Sequence, residues 1–372
     1  MSAHEDARPS PTAFSYQLGG LKIAPATALA PMEGISDRIF RRMVRSVGGC
    51  GLTVTEFVAS EALTRDVPKA WKSIAFDDDE HPVAAQIYGR DPERMADAAR
   101  RCEDAGADIV DLNFGCPSKK VTQGLAGAAL MREPQLAHAI MVAVRQAIRV
   151  PMTVKMRLGW SRKTLNAPEL ARMAEAEGAA QIVVHGRTRE QGYSGRADWS
   201  AVRAVKDSVK LPVLVNGDIL NVEDAATALQ ESAADGVMVG RGVLRNPWLL
   251  AQIAAAQNGL PVPEPSLQQR RAWLERFLDE VEAEIEKPSL LLGRTKMITG
   301  YFCRGLRHAA ATREAVYKAS TAAEARQSLL GFFDRCIEEE QVFARVDYGE
   351  RDWRLRGDSA RSLQPPDEVH CK

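Results

Sequence analysis

The chain has 372 residues, 45% of them hydrophobic, with 49 basic and 49 acidic side chains. That is an ordinary globular composition, long enough for a large barrel plus an appendage, and its zero net charge attracts no polyanion uniformly. Its six cysteines (Cys50, Cys102, Cys116, Cys303, Cys336 and Cys371) make no CxxC pair and no zinc-like or iron–sulfur-like spacing. No metal is expected, and a reducing compartment is. The start, MSAHEDARPSPTAF, has no apolar core and does not read as a signal peptide. No run approaches the roughly 18 apolar residues of a membrane span. A cytoplasmic protein without membrane contact is expected, and a monomer.

From Thr27 onward the chain repeats one theme: a short apolar run, a polar loop, then a helical pattern. The runs are TALAP from Thr27, LTVTE from Leu52, VAAQIY from Val83, DIVDLN from Asp108, MTVKMR from Met152, QIVVHG from Gln181, PVLVNGD from Pro212 and DGVMVGR from Asp235. Near-continuous Val/Ile/Leu runs predict buried parallel strands. Asp91-Pro92-Glu93 predicts a helix start and Gly106 its end; Glu133-Pro134 and Asn166-Ala-Pro-Glu open two more. Eight such units predict a (β/α)8 TIM barrel over residues 21–258. A doubly wound sheet is disfavoured, because no GxGxxG follows the first run.

Asn258 to Pro265, NGLPVPEP, reads as a linker. Beyond it no strand-like run occurs, and helices are predicted over 268–285, 290–306, 309–317 and 322–340, a small helical domain within 266–346. Residues 1–20 and 347–372 read as a flexible segment and a loose tail. Between Lys287 and Gln327 there are eight basic and two acidic residues, a patch hidden by the neutral average.

A TIM barrel carries its active site at the C-terminal ends of its strands. Here those ends hold Pro31-Met32-Glu33-Gly34, Glu56, Gln86, Asn113-Phe-Gly-Cys116, Lys155 and Arg157, His185 and Arg187, Asn216-Gly217-Asp218, and Gly240-Arg241-Gly242. Each has an ordinary reading taken singly: Cys116 as inert packing, His185 as a core histidine, Asp218 as a helix cap, the arginines as loop ion pairs. Polar residues at all eight ends, in register, are hard to explain by packing and predict a site. The loops after strands seven and eight often bind phosphate in this fold, and Arg241 adds positive charge, so a phosphate-bearing cofactor is expected. Gln86 and Lys155 suit a ring of alternating donors and acceptors that gains negative charge, as reduced flavin does.

These residues lie in longer motifs. DLNFGCPSKKVTQGLAGAALM, APMEGISDRIFR, VKMRLGW, HGRTREQGYSGRADW, VNGDI and GRGVLRNPWL resemble the signatures of the tRNA-dihydrouridine synthase family, most closely its bacterial B-type branch. The resemblance runs from about Ala28 to Leu250, with a weaker continuation in GRTKMITGYF. It implies FMN held non-covalently, NADPH as reductant, and tRNA as substrate, with a helical RNA-binding domain after the barrel and a D-loop uridine as target. It further implies Pro31, Met32, Gln86, Lys155, His185, Asn216, Gly217, Asp218, Gly240 and Arg241 as flavin contacts. Asn113, Arg157 and Arg187 become contacts to uracil or tRNA, and Cys116 the catalytic acid.

A thiol with its ordinary pKa near 8.5 stays protonated at neutral pH and can supply the proton that reduced uracil needs on carbon 5. The rival role, nucleophile, needs a depressed pKa, toward which Lys119 and Lys120 would push. Gly115, Gly124 and Gly127 would let the cysteine loop close over a base. The base must leave its stack, and Tyr88, Tyr193 and Trp199 are candidates to receive it, or core residues. Arg294, Lys296 and Arg304 are the expected phosphate contacts of the helical domain. Dihydroorotate and dihydropyrimidine dehydrogenases, related FMN barrels acting on free pyrimidines, are the alternative; a non-catalytic RNA-binding protein on a degenerate barrel is the third reading.

Overall fold

The computed structural model describes residues 14–339. The expected tail at 347–372, residues 1–13 and the end of the last predicted helix lie outside the described residues. All eight predicted runs form strands: β1 (Thr27–Leu29), β2 (Leu52–Val54), β3 (Val83–Tyr88), β4 (Ile109–Phe114), β5 (Met152–Arg157), β6 (Ala179–His185), β7 (Val213–Asn216) and β8 (Gly236–Val239). Each pairs in parallel with the next, and β8 pairs with β1, Val239 opposite Leu29, so the sheet closes. A two-residue strand, Val58–Ala59, adds to the top of β3.

Helices cover the outside where the caps predicted them. The side chain of Asp91 accepts from the N–H groups of Glu93 and Arg94 at 3.0 and 3.1 Å, starting Pro92–Asp104. Pro134–Ala147 and Ala167–Ala176 likewise begin with proline in the first turn. Parallel strands covered by helices bury both faces, which is why the runs are apolar throughout rather than alternating.

The expected flexible segment 1–20 overlaps ordered structure. Tyr16–Leu18 pairs antiparallel with Leu21–Ile23 through a Gly19-Gly20 turn. Leu18 and Ile23 are fully buried and join Ala28, Leu52, Ile109, Val183, Leu214 and Met238 in a separate apolar cluster. The hairpin thus plugs the barrel at the opposite end from the strand tips that carry polar residues.

Past the barrel, helices span Leu267–Glu284, Pro288–Phe302, Ala309–Lys318 and Ala322–Glu338, within a few residues of expectation. Ser266 and Gln269 form a capping box on the first, Thr321 and Glu324 on the last. The helices share an aromatic core. Trp273 stacks on Phe277 and Phe302 with ring centroids 5.6 and 5.5 Å apart, and its indole N–H donates to Met43 O of the barrel's first helix at 3.1 Å. Arg42 pairs with Glu280 at 2.6 Å and Arg38 with Glu284 across the same junction. Among the described residues, no helix is long and apolar enough to cross a membrane.

Candidate active site

The strand tips form one continuous polar assembly. Gln86 on β3 is fully buried, and its Nε2 donates to Asp111 on β4 at 2.5 Å. Asn113 Nδ2 donates to Gln86 Oε1 at 2.7 Å, while Asn113 Oδ1 accepts the N–H groups of Gly115 and Cys116 at 3.1 and 2.9 Å. On β5, Lys155 Nζ donates to Asn216 Oδ1 at 3.1 Å, and Asn216 Nδ2 donates to Met238 O at 2.7 Å, locking that amide. Burial, then the neighbouring Arg157, lowers the Lys155 ammonium to about 8.

Arg157 is buried and spends its guanidinium on the carbonyls of Gly115, Thr188 and Gly192, each at 2.8 Å. It therefore ties the cysteine loop to the loop after β6. Burial brings it down to about 10. Arg187, also buried, donates to Ser194 O at 3.2 Å and pairs with Asp218. Asp218 has φ +54°, accepts the N–H of Ala197 at 2.8 Å, and pairs with Arg241 at 3.2 Å. One carboxylate at the tip of β7 thus joins the loop after β6 to Arg241 at the tip of β8. His185 is buried and surrounded by cations; burial, then Arg157 and Lys155, holds it well below its ordinary pKa, so it is neutral. Its Nδ1 and Arg187 Nη1 are buried with no hydrogen-bond partner.

Cys116 is half-buried beside these groups. Burial raises its pKa; the Ser118 N–H and the charges of Arg157 and Lys155 oppose the rise without reversing it, while Glu33 adds to it. The thiol is therefore the resting form at neutral pH, which removes the premise of the nucleophile reading. Gly127 does more than loosen the loop. It has φ +57°, and a Cβ there would lie 3.2 Å from Cys116 Cβ and 2.8 Å from Val121 Cγ1. Ala128 N–H donates to Cys116 O at 3.1 Å. Gly127→Ala is expected to displace the thiol and slow any step that uses it by about tenfold to a hundredfold, checked by single-turnover kinetics beside an unchanged circular-dichroism spectrum.

The strand-one tip is held by Glu56, which accepts the N–H of Gly34. Beside it Gly240 leaves a cradle: a Cβ there would lie 3.4 Å from Met32 Sδ and 3.5 Å from Ala30 Cβ. Pro31 and Met32 flank it half-buried, and Gly217 O accepts the indole N–H of Trp199 at 2.8 Å. Trp199 is thereby a core residue, not a stacking platform. Tyr88 is half-buried and packs edge-on against Phe57. Tyr193 is 61% exposed, and its ring faces the guanidinium groups of Arg241 and Arg157 at 4.9 and 5.6 Å.

The basic patch of the helical domain is largely spent internally. Arg294 is 6% exposed, donates to Gly34 O and to Ile35 O (2.8 Å), and pairs with Asp37 at 2.8 Å. The expected phosphate contact is therefore turned inward, because the barrel's first loop offers carbonyls that need a donor. Lys296 Nζ donates to Ala319 O at 2.9 Å, Arg304 to Gly300 O at 2.8 Å, and Arg326 pairs with Asp279 at 2.6 Å. Lys287 and Arg307 remain exposed.

Two features went unread in the sequence. One is Asp111, whose signal was a carboxylate on the same strand face as Asn113. The other is a cationic rim beside the cysteine loop. Trp160 is stacked between Arg132 and Arg189, at 3.9 and 4.7 Å, and Arg189 reaches Thr122 Oγ1 at 3.1 Å. Lys119 and Lys120, on the short helix that carries Thr122, and Arg162 and Lys163, just after Trp160 in sequence, are exposed. The signal was two basic pairs in loops that follow adjacent strands.

A closed parallel barrel with a polar mouth and a half-buried thiol among its polar groups defines a (β/α)8 enzyme scaffold. The fold is similar to that of morphinone reductase, at a TM-score of 0.50 and 15% identity over 71% of this chain and 94% of that one. Residues 28–339 match the family described as Dihydrouridine synthase (Dus), and the chain belongs to it. It is 41% identical to a probable tRNA-dihydrouridine synthase of Rickettsia bellii over 87% of this chain and 99% of that protein. It is 50% identical to one from Rhodobacter capsulatus over 68% and 78%. To tRNA-dihydrouridine synthase B of Xanthomonas axonopodis pv. citri it is 36% identical over 86% and 96%.

Proposed function

We propose that this protein reduces the 5,6-double bond of uridine in tRNA, using FMN and NADPH, with Cys116 as general acid. The observation that carries the reading is the half-buried Cys116 thiol, its loop held at the barrel mouth by Asn113 and Arg157, in a chain of this family.

The donor set fits a phosphate-bearing ring. Arg241 is partly exposed, His185 Nδ1 and Arg187 Nη1 are unpartnered, and Gly240 opens a cradle between β8 and β1. Arg241, Gly217, Asp218 and Gly240 would hold the phosphate side, and Gln86, Lys155, His185 and Asn216 the ring, with Pro31 and Met32 as further contacts. FMN held there would supply, once reduced by NADPH, the hydride for carbon 6 of uracil. Cys116 gives its Sγ proton to carbon 5. Lys155 and Arg157 stabilise the negative charge that precedes proton transfer and the thiolate that follows it. Asn113 presents an N–H to the base, and the loops clamped by Arg157 and Arg187 exclude water.

The substrate's phosphates meet the cationic rim of Lys119, Lys120, Arg132, Arg162 and Lys163, with Tyr193 exposed beside the mouth to receive an unstacked base. Lys287 and Arg307 extend the surface to the helices. Arg162→Glu with Lys163→Glu is expected to weaken tRNA binding and to lower the slope of log affinity against log salt by about 0.7–0.9 for each phosphate no longer neutralised. Filter binding across a salt series checks it, with flavin content as the control.

The decisive experiment is anaerobic reoxidation of the NADPH-reduced protein, followed at the flavin absorbance band, with tRNA lacking dihydrouridine. Fast reoxidation by tRNA is expected. Reoxidation by free uracil or orotate but not by tRNA would make the protein a small-molecule dehydrogenase, and absence of a flavin band would end the proposal.

A further inference from the structure

Asp111 has no place in the chemistry just described, yet it is a carboxylate 2% exposed in the barrel interior. Among the described residues it faces no arginine or lysine at hydrogen-bond distance. It accepts from two neutral donors instead, Thr153 Oγ1 on Oδ1 and Gln86 Nε2 on Oδ2, both at 2.5 Å. Burial pushes its carboxyl pKa up, and these two neutral donors, with Lys155 beyond hydrogen-bond distance, oppose the rise without reversing it, so the charged form is costly there. A leucine or valine would fill that position of a barrel strand at no such cost, so packing does not account for it.

The hydrogen bonds form a directed chain. Gln86 gives an N–H to Asp111 and accepts one from Asn113; Asn113 in turn accepts the backbone N–H groups of Gly115 and Cys116. A side-chain amide can be turned over, exchanging its oxygen and nitrogen. Here both ends of the chain demand one orientation. As placed, both Asp111 oxygens accept, so turning Gln86 over would set its carbonyl against Asp111 Oδ2. Two backbone N–H groups only donate, so turning Asn113 over would set its NH2 against them. The relay uses one N–H of each amide, leaving each with one N–H for a ligand.

We propose that Asp111 is a positioning residue: its carboxylate orients the Gln86 and Asn113 amides in series and so fixes the cysteine loop and its thiol. The inference rests on the reading of Cys116 as the acid for its catalytic consequence, but not for its geometry. Asp111→Asn supplies an amide that can present either a donor or an acceptor to Gln86. The Asp111 end then no longer demands one orientation, and the N–H groups of Gly115 and Cys116 alone must hold the relay.

The test is the rate at which iodoacetamide alkylates Cys116, followed by mass spectrometry of the peptide that carries it, which needs neither RNA nor turnover. In Asp111→Asn the rate is expected to change by about tenfold or more. Gln86→Met, which cuts the relay at its second link and keeps the side-chain volume, is expected to match it and serves if Asp111→Asn fails to fold. Thr153→Val removes the other bond to Asp111 but leaves the relay, and is expected to change the rate less than twofold. An unchanged rate in folded Asp111→Asn or Gln86→Met, or an equal change in Thr153→Val, overturns the proposal. With tRNA, Asp111→Asn should lower the rate of base reduction at saturation about tenfold or more while KM stays within twofold. Wild-type protein that fails to reduce tRNA would overturn the functional reading and leave the alkylation result standing.

Discussion

Cys116→Ala is expected to bind flavin and oxidise NADPH at the wild-type rate, yet to reduce tRNA slower by a factor on the order of 10² or more. The separation arises because the thiol's proton is needed only once a base is present. Hydride addition leaves negative charge on the pyrimidine, and without a proton donor nearby the product must wait for water that the clamped loops keep out. Single-turnover reduction followed by absorbance, then reoxidation by tRNA, resolves the two halves. Equal loss in both halves would assign Cys116 to the flavin's environment instead. The pH dependence carries a second signature. The thiol is raised by burial and Lys155 lies at about 8, so the base-reduction rate should be flat through neutral pH and fall on the alkaline side. Both groups act in their protonated forms, so the fall begins near pH 8 as Lys155 loses its charge. A nucleophilic thiolate would give a rate that rises with pH.

Arg294→Met should cost the folded protein about 3 kcal/mol and should slow the enzyme as well. The side chain is buried, and its removal leaves Gly34 O, Ile35 O and Asp37 without their donor. Methionine fills most of the volume, so the loss reports the polar contacts rather than a cavity. Urea denaturation measures the stability. The kinetic effect follows from position: Gly34 and Ile35 continue the strand-one tip that bears Met32. A loss of stability below about 1 kcal/mol would mean that water replaces the guanidinium, and that the arginine was free for RNA after all.

Much of the barrel was legible because buried parallel strands leave unbroken apolar runs, and because Asp91-Pro92 and Glu133-Pro134 are strong helix starts. The site was legible for a related reason. A polar residue at the tip of an otherwise apolar run is conspicuous, so Gln86, Lys155, His185 and Asn216 could be singled out before their contacts were known. What those contacts are was not legible. Asp111 lies inside its run, and although its i, i+2 spacing from Asn113 places both on one strand face, that spacing does not say what either contacts. Arg294 was misjudged because a charge count carries no direction. Its spacing from Ile298 and Phe302, four and eight residues on, places it on the buried face of its helix, a signal that outweighs its charge. The hairpin at Tyr16–Ile23 was missed although Gly19-Gly20 between short apolar runs is a turn signal. Its strands are three residues each, too short for periodicity to register.

The guanidinium of Arg294 has a consequence for how such proteins can be recombined. Two of its three partners are main-chain carbonyls of the barrel and the third, Asp37, also caps the barrel's first helix through the Phe40 N–H at 2.9 Å. A chimera that grafts these four helices onto a relative's barrel therefore transplants half of a joint. To retain activity it would have to import the receiving turn from Gly34 to Asp37 along with them, so the workable crossover lies inside the first βα loop as well as at the linker after Asn258.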